Sequence, residues 1–356
     1  MSACGVLAWN DGHLVWDDYL DHRDFALAEG SERVVRHFVD WRDLESVRRL
    51  GTAPADGDRF LRIARELLDS GILVARDSER ECRERDILAA WGTWGPPTRA
   101  FHFSTRSHAG TRYATAAEID ELLSVKFAQD PPPQALRSVP GARHVPLPAA
   151  DGGPWRHRDL VEVLRLRRSR REFGDSELSL SALGTLLATA AGPIADASGR
   201  LVQPGESVFK TSPSGGARHP TELYVYAQRV AGLDPGIYHY AAGTHVLEEL
   251  GRQRTPEELV TACGGQEWVA GANAIIFYTS VIARNQWKYP IPRTYRILLM
   301  DVGHLSQTVY LLATALGLRI TFTAALRDEM VEELVGCDPV HEIVVGASIL
   351  GTDLEA

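Results

Sequence analysis

Apolar positions recur at helical spacing in some stretches and alternate or run unbroken in others, and the two periods divide the chain into elements. Near the N-terminus, Leu14-Val15-Trp16 and Asp24-Phe25-Ala26-Leu27 read as short strands. Ser31 is placed to cap a helix that buries Val34, Val35, Phe38 and Val39. Asp58 is placed to cap a second, with Phe60, Ile63, Ala64, Leu67 and Leu68 on one stripe. Gly71 stops that helix and Ile72-Leu73-Val74 begins a strand. Two helices and a short strand in succession predict a winged-helix-like α/β domain over residues 1–105. Asp56, Asp58, Glu66, Asp69, Asp77, Glu79 and Glu81 spread acid through it, which disfavours DNA. Peptide or partner binding, or plain packing support, remain as its roles.

Trp91-Gly92-Thr93-Trp94-Gly95-Pro96-Pro97 and Phe101-His102-Phe103 read as an aromatic segment crossing between two domains. A short helix is expected from Ala116 to Leu123. Asp130-Pro131-Pro132-Pro133 through Gly152-Gly153-Pro154 is rich in Pro and Gly, so residues 106–154 are expected to form a linker or surface wrap. The larger domain is expected over 155–356. There, Leu180, Leu183, Leu186, Leu187 and Ala190 form a helical stripe ended by Gly192. Leu223–Tyr226 and Gly236–Tyr240 read as neighbouring strands, and Ala274–Tyr278, apolar on both faces, as a central one. Thr294 to Leu316 predicts a long helix, apolar nearly all round, ending at Gly317. Ile320–Thr323 and Glu342–Leu350 supply further strands, and Asp328 is placed to cap a helix carrying Val331, Leu334 and Val335.

Composition narrows the function classes. With 356 residues, 44% hydrophobic and 24% charged, the chain matches an ordinary globular protein of one large or two medium domains. A net charge of −9 argues against nucleic-acid or acidic-membrane binding, so basic clusters are local features. Cys4, Cys82, Cys263 and Cys337 are widely spaced without CxxC or Cys/His ligand spacing. No metal site is expected, and reduced thiols in the cytoplasm are. Neither a signal peptide nor a bilayer-spanning run is read.

Three dense clusters are candidates for chemistry. Arg167-Arg168-Ser169-Arg170-Arg171-Glu172-Phe173 follows an amphipathic run with Leu160, Val163 and Leu164 at helical spacing. Its guanidinium forks suit phosphate oxygens, while a solvated helix end would use the same residues. Thr211-Ser212-Pro213-Ser214-Gly215-Gly216-Ala217-Arg218-His219-Pro220 offers close backbone approach and hydroxyls, and a tight turn would do so too. Lys288-Tyr289 precedes Pro290 and Pro292. An ammonium beside a phenol lowers the phenol's pKa and makes it usable as a base, provided the backbone turns so that both side chains reach one centre. Neither GxGxxG after a strand nor a P-loop motif occurs.

Taken in order, these clusters resemble the nitroreductase-like flavoproteins, and within them the SagB-type (McbC-like) dehydrogenases of peptide natural-product biosynthesis. Arg-Arg-Ser-x-Arg-x-Phe at 167–173 resembles the family's flavin-phosphate motif, and Pro213–Pro220 its second flavin motif. Gly236–Tyr240 through His245-Val246-Leu247 resembles the hairpin that follows. Arg284 through Lys288-Tyr289, Arg293, Tyr295-Arg296 and Asp301-Val302-Gly303-His304 resemble the branch-specific segment. The resemblance is strong over about 155–351, weak over 90–105, and missing from the first 90 residues.

The resemblance implies an α+β nitroreductase-like fold, a mixed or antiparallel central sheet flanked by helices, beside the small N-terminal domain. It implies FMN, held by a homodimer. Phosphate contacts are expected from Arg167, Arg168, Ser169 and Arg171. Contacts to the rest of the cofactor are expected from Ser212, Pro213, Ser214, Gly215, Gly216 and Arg218, with Gln307 and Thr323 as weaker members. Lys288 and Tyr289 are expected to carry proton chemistry, Tyr289 as the base and Lys288 holding its proton affinity down. The chain ends Gly351-Thr352-Asp353-Leu354-Glu355-Ala356, without the basic pair many family members place near the C-terminus. The function so implied is oxidation of peptide thiazolines or oxazolines to thiazoles or oxazoles, with a cyclodehydratase or leader-binding partner. The alternatives are desaturation of another peptide- or carrier-bound residue, NAD(P)H-dependent nitro reduction, or a non-catalytic leader-binding scaffold.

Overall fold

The computed structural model describes residues 1–150, 153–203 and 206–354. Asp151-Gly152 of the expected linker and the terminal Glu355-Ala356 lie outside the described residues. The chain folds as two compact units, Met1–Arg112 and Tyr113–Ala356.

In the first unit, β1 (Val6–Asn10), β2 (His13–Asp18) and β3 (Arg23–Ala26) form an antiparallel sheet in that order. Helices α1 (Ser31–His37), α2 (Pro54–Asp69), α3 (Glu79–Trp91) and α4 (Gly95–Ser104) follow. Trp16, Val34, Val35, Phe38, Phe60, Ile63 and Leu67 close its main core. Several expectations are corrected here. Gly30, not Ser31, occupies the α1 N-cap, at φ 91°, and Ser31 is the first helical residue. Val39 is 69% exposed because α1 stops at His37. Asp58 sits inside α2, whose start is set earlier by Pro54, a residue whose missing N–H costs nothing at a first helical position. Ile72 and Leu73 are buried but form a turn, not a strand, with the Leu73 N–H donating to the Leu67 carbonyl at 2.9 Å. The aromatic segment is helical and belongs to this unit, with Trp91 against Phe103 at 5.6 Å between ring centroids.

The second unit begins with α5 (Ala116–Gln129), longer than expected and started by a Thr115–Glu118 capping box. Then come β4 (Arg143–Pro146), α6 (Leu160–Leu166), α7 (Leu180–Ala191), the ribbon β5 (Val202–Gln203) and β6 (Ser207–Val208), β7 (Thr221–Ala227), β8 (Gly236–Ala241) and β9 (Val246–Glu249). They are followed by α8 (Pro256–Ala262), β10 (Ala274–Val281), α9 (Ile282–Lys288), α10 (Thr294–Ala315), β11 (Arg319–Thr323), α11 (Asp328–Val335) and β12 (Glu342–Gly351). Asp328 opens α11 as its first residue, while Arg327 is the N-cap without a side-chain bond.

Seven strands form one antiparallel sheet in the order β11-β12-β10-β7-β8-β9-β4. The segment expected as linker thus supplies an edge strand. Side chains alternate across each strand. Leu223, Val225, Ile276 and Tyr278 pack with α7 and α10 residues Leu183, Leu186, Val302, Leu305 and Val309. Tyr224, Tyr226, Ile275 and Phe277 pack on the other face with Leu259, Val331 and Leu334 of α8 and α11. Burying both faces explains why the inner strands read as continuous apolar runs, and it makes α10 a rigid base for whatever rests on it. Among the described residues, no helix is long and apolar enough to cross a membrane.

Candidate functional site

α10 organises the site. The Ser214 hydroxyl donates to Asp301 Oδ2 at 2.6 Å, and the Gly215 N–H donates to Asp301 Oδ1 at 3.2 Å. Seven residues on, the Thr308 and Ser212 hydroxyls share a 2.7 Å hydrogen bond. Near the far end, the Tyr310 hydroxyl bonds the Ser169 hydroxyl at 2.9 Å and accepts from the Phe322 N–H at 2.7 Å. The Arg167 guanidinium lies 5.4 Å from the Tyr310 ring centroid. At 1.5 Å per helical residue, Asp301 and Tyr310 stand about 14 Å apart along the axis. The first two sequence clusters therefore both pack on α10, at different turns and on different faces of the helix.

The arginine cluster begins where α6 ends. Arg167 caps α6 and the chain runs on extended, with the Arg170 N–H donating to the Ile320 carbonyl at 2.8 Å. Arg171 lies 5.8 Å from the Trp268 ring. Arg168 turns back and donates to the Arg165 and Arg167 carbonyls, each at 2.7 Å, so it serves the helix end. Among the described residues, Arg167, Arg168, Arg170 and Arg171 form no ion pair with a carboxylate. Of the expected stripe on α6, only Val163 is buried; Leu160 and Leu164 are 63% and 47% exposed.

The glycine turn is strained. Gly216, Ala217 and His219 have φ of 67°, 57° and 44°. Left-handed backbone costs roughly 1–3 kcal/mol at a residue with a side chain, so the surroundings must hold it. They do so from several sides. Arg218, 2% exposed, donates to the carbonyls of Arg284 at 3.1 Å and Glu206 at 3.1 Å. It anchors the turn from inside the fold. Arg284 donates to the His219 carbonyl at 3.0 Å and pairs with Glu222. Glu222 in turn meets His239 Nε2 at 3.0 Å, and His239 Nδ1 meets Glu248 at 2.8 Å. Burial works against the Glu222 carboxylate, yet Arg284 and His239 hold its pKa down to about 2. Burial likewise opposes the His239 imidazolium, and the two carboxylates outweigh it and raise its pKa. This buried row of alternating charge was not found from sequence; Glu222, His239 and Glu248 sit on three different strands, and only their pairing reveals them.

Lys288 is the last residue of α9 and Tyr289 its C-cap, so a helix end, not a bent strand, joins the pair. A Cβ built on Gly216 would lie 2.6 Å from the Tyr289 hydroxyl and 2.9 Å from Lys288 Cδ. The second and third clusters are therefore in direct contact. Lys288 Nζ lies 3.4 Å from the Gly216 carbonyl and 5.6 Å from the Tyr289 ring centroid. The expected depression of the phenol is not found: burial raises the Tyr289 pKa, and Arg218, not Lys288, works against that rise. The Lys288 ammonium is shifted down, by burial first and then by Arg218, with Asp120 opposing.

Residues 126–139 are stitched across this site. Lys126 donates to the Trp287 carbonyl, and the Trp287 indole N–H donates to the Asp130 carbonyl at 2.7 Å. Arg284 donates to the Gln134 carbonyl at 3.0 Å, and Arg137 pairs with Glu342. Trp287 itself lies between Lys126 at 5.1 Å and Arg218 at 5.2 Å from its ring.

The remaining expected residues divide. Gln307 is exposed on α10, between Asp301 and Tyr310. Pro213 lines a water-sized cavity beneath the turn with Lys210, Ser212, Ser214, His219, Thr221 and Asp301. The Thr323 hydroxyl accepts from Gln266 Nε2 at 2.9 Å and the Ala325 N–H at 3.0 Å, which ties the loop after β11. Ser214 and Gly215 direct their donors at Asp301, a residue quoted in the branch-specific segment without a role.

The donor set suits a phosphorylated ligand. Among the described residues, Arg167, Arg168 and Arg171 form no ion pair with a carboxylate, near the Tyr310 end of α10. Near the other end, Asn285 is fully buried with neither side-chain polar atom hydrogen-bonded, and its Nδ2 would lie 3.3 Å from a Cβ on Gly215. Buried amides are rarely left so, and a polar partner beside the Gly215 turn would satisfy this one.

Residues 164–352 match the family model described as Nitroreductase family. The chain belongs to the nitroreductase family. Protein MJ1384 of Methanocaldococcus jannaschii is 34% identical over 176 residues, 49% of this chain and 83% of that protein. The trifolitoxin-processing protein TfxB of Rhizobium leguminosarum bv. trifolii is 30% identical, over 49% of this chain and 48% of its own. The microcin B17-processing protein McbC of Escherichia coli is 28% identical, over 37% of this chain and 50% of its own. The match thus spans about half the length of each processing protein. A chain of the E. coli microcin synthetase McbBCD complex, with truncated pro-MccB17 bound, superposes with a TM-score of 0.43 at 20% identity, over 76% of this chain and 98% of that one. This nitroreductase therefore has McbC-like relatives, as its Lys-Tyr segment led one to expect.

Proposed function

We propose that this nitroreductase is an FMN-dependent dehydrogenase that oxidises a thiazoline or oxazoline in a modified peptide to the thiazole or oxazole. The observation that carries the reading is the contact between the Gly215-Gly216 turn and Lys288-Tyr289, near the start of α10, whose far end meets the arginine cluster through Tyr310. Arg167, Ser169 and Arg171 would hold the phosphate, and the turn with Gln307 and Asn285 would receive the rest. FMN, when bound, supplies the hydride acceptor that no protein side chain offers.

The chain's own residues handle the proton. Aromatisation removes a proton from the ring Cα and a hydride from the adjacent methylene, forming the new double bond, with molecular oxygen as terminal oxidant. The shifts in the site favour a division of labour. Lys288, whose ammonium is destabilised, takes the proton; Tyr289, held as a neutral phenol, donates a hydrogen bond to the ring heteroatom or nitrogen. This moves the base from the phenol to the amine. A cyclodehydratase must supply the azoline, which makes it the expected partner.

Two further features support the reading. Exposed Leu160, Val161 and Leu164 on α6 and Leu299 and Met300 on α10 form apolar surface on two helices that touch, suited to a homodimer. In the first unit, β1 is an open sheet edge with Val6, Leu7 and Trp9 exposed, suited to an added peptide strand. The test is purified protein with FMN and an azoline peptide. Loss of two hydrogens from the peptide upholds the reading; intact azoline with a full flavin complement refutes it. Rapid NAD(P)H-dependent turnover of a nitroaromatic under the same conditions would favour simple reductase chemistry instead.

A further inference from the structure

We propose that Asp301 is a positioning residue that latches the Ser214-Gly215-Gly216 turn in the conformation that receives the cofactor; this rests on the flavin reading above. Both carboxylate oxygens are used, Oδ2 by the Ser214 hydroxyl at 2.6 Å and Oδ1 by the Gly215 N–H at 3.2 Å. The Ser214 oxygen also accepts from the His219 N–H at 2.9 Å, so one carboxylate ties the two ends of the turn together. Between those ends stand the left-handed residues Gly216 and Ala217, with left-handed His219 closing the turn. A free segment bearing two such side-chain residues would relax to ordinary backbone. Arg284 secures the His219 end through that residue's carbonyl. The Gly215 end has the carboxylate, and Gly215 is pressed so closely on α10 that a Cβ would lie 2.5 Å from Ile297 Cγ2.

The base of the latch is firm. Asp301 is 5% exposed, and its helical neighbours Val302 and Leu305 are in the core of the sheet's α7–α10 face. A carboxylate so placed is tolerated because its oxygens are paired. The latch also fixes where Lys288 and Tyr289 stand, because Gly216 touches both. Asp301 thereby acts on the reaction through the turn without touching the reacting atoms.

The test measures FMN affinity by fluorescence quenching, and amide exchange at Gly215 and His219 in flavin-free protein. It compares wild type, Asp301→Asn and Asp301→Ala. Loss of two charge-assisted bonds predicts FMN binding weaker by about tenfold or more in D301A. D301N, whose amide oxygen still accepts from Gly215, should fall between, and exchange at both amides should quicken in the same order. Wild-type affinity and wild-type exchange in D301A overturn the latch. If D301A fails to fold, D301N and Ser214→Ala carry the test: weakened binding with faster exchange upholds the latch, and wild-type values in both overturn it. If wild-type protein takes no FMN, the cofactor reading falls and exchange alone decides. Lost protection in D301A then upholds the latch, and retained protection overturns it.

Discussion

The Tyr289 hydroxyl stands 2.6 Å from the point a Cβ on Gly216 would occupy, so the phenol is fitted to a residue that has none. Gly216 is also left-handed, at φ 67°. Gly216→Ala therefore meets a backbone penalty and a clash together. The expected outcome is a loss of about 1–2 kcal/mol from backbone alone, with more from displaced Tyr289. Urea denaturation of the variant measures it, and a stability equal to wild type would contradict the geometry.

Lys288 and Tyr289 should separate kinetically. Lys288→Ala is expected to lower kcat by about 100- to 10,000-fold, the range of a lost general base, with flavin content unchanged. Its amine is shifted below the ordinary lysine range, so the neutral form gains population as pH rises through that lowered value. The wild-type rate should rise with pH over that range. Tyr289→Phe should keep the rise at lower amplitude, while Lys288→Ala should lose it. A pH–rate profile for each variant decides.

Arg167 and Arg171 should bind anion rather than stabilise the fold. Charge-assisted hydrogen bonds to phosphate contribute about 1.5–3 kcal/mol each. Arg167→Ala and Arg171→Ala should each weaken FMN binding roughly tenfold or more while leaving riboflavin binding nearly unchanged, since riboflavin lacks the phosphate. Parallel titrations with the two ligands check this. Equal losses for both would place the arginines elsewhere.

The buried row Glu248–His239–Glu222–Arg284 should govern acid stability. The Glu222 pKa, about 2 in the fold, lies below its ordinary 4.5. Its contribution is therefore complete above pH 4.5 and lost as pH falls towards 2. His239, raised above 6.5, contributes fully below that value and less as pH climbs through its folded value. Glu222→Gln leaves Arg284 and His239 without their shared counter-charge, an expected cost of about 3–5 kcal/mol at neutral pH. Unfolding free energies from pH 3 to pH 8 should show a smaller acid-side decline in the variant.

Trp287 should hold the 126–139 segment in place. Trp287→Phe keeps a ring between Lys126 and Arg218 but drops the hydrogen bond to the Asp130 carbonyl, costing about 0.5–1.5 kcal/mol. Trp287→Ala removes the ring as well. Limited proteolysis should cut within 113–142 faster in the order wild type, Phe, Ala.

Local signals and tertiary placement contributed differently to what could be read. The long helix, the helix ended by Gly192 and the inner strands were legible because burial on both sides of the sheet writes a period into the chain. Turn chemistry misled where two signals competed: Gly30 and Pro54 set helix starts that Ser31 and Asp58 were read as setting, and Asp11-Gly12, both left-handed, joins β1 to β2 where no hairpin was expected. The Pro-rich stretch looked like a linker because prolines remove donors. Its carbonyls, however, accept from Arg284 and Trp287, partners more than a hundred residues away.

The sequence alone determined the family, the three clusters and their order, because close backbone approach and phosphate binding demand particular residue types at short spacing. Only the tertiary structure decided which of those residues are already engaged within the fold. It turned Arg218 and Thr323 inward, raised the phenol it was expected to acidify, and set Asp301 under the glycine turn. Charge, burial and contact between distant residues are properties of the folded chain, and no local pattern carries them.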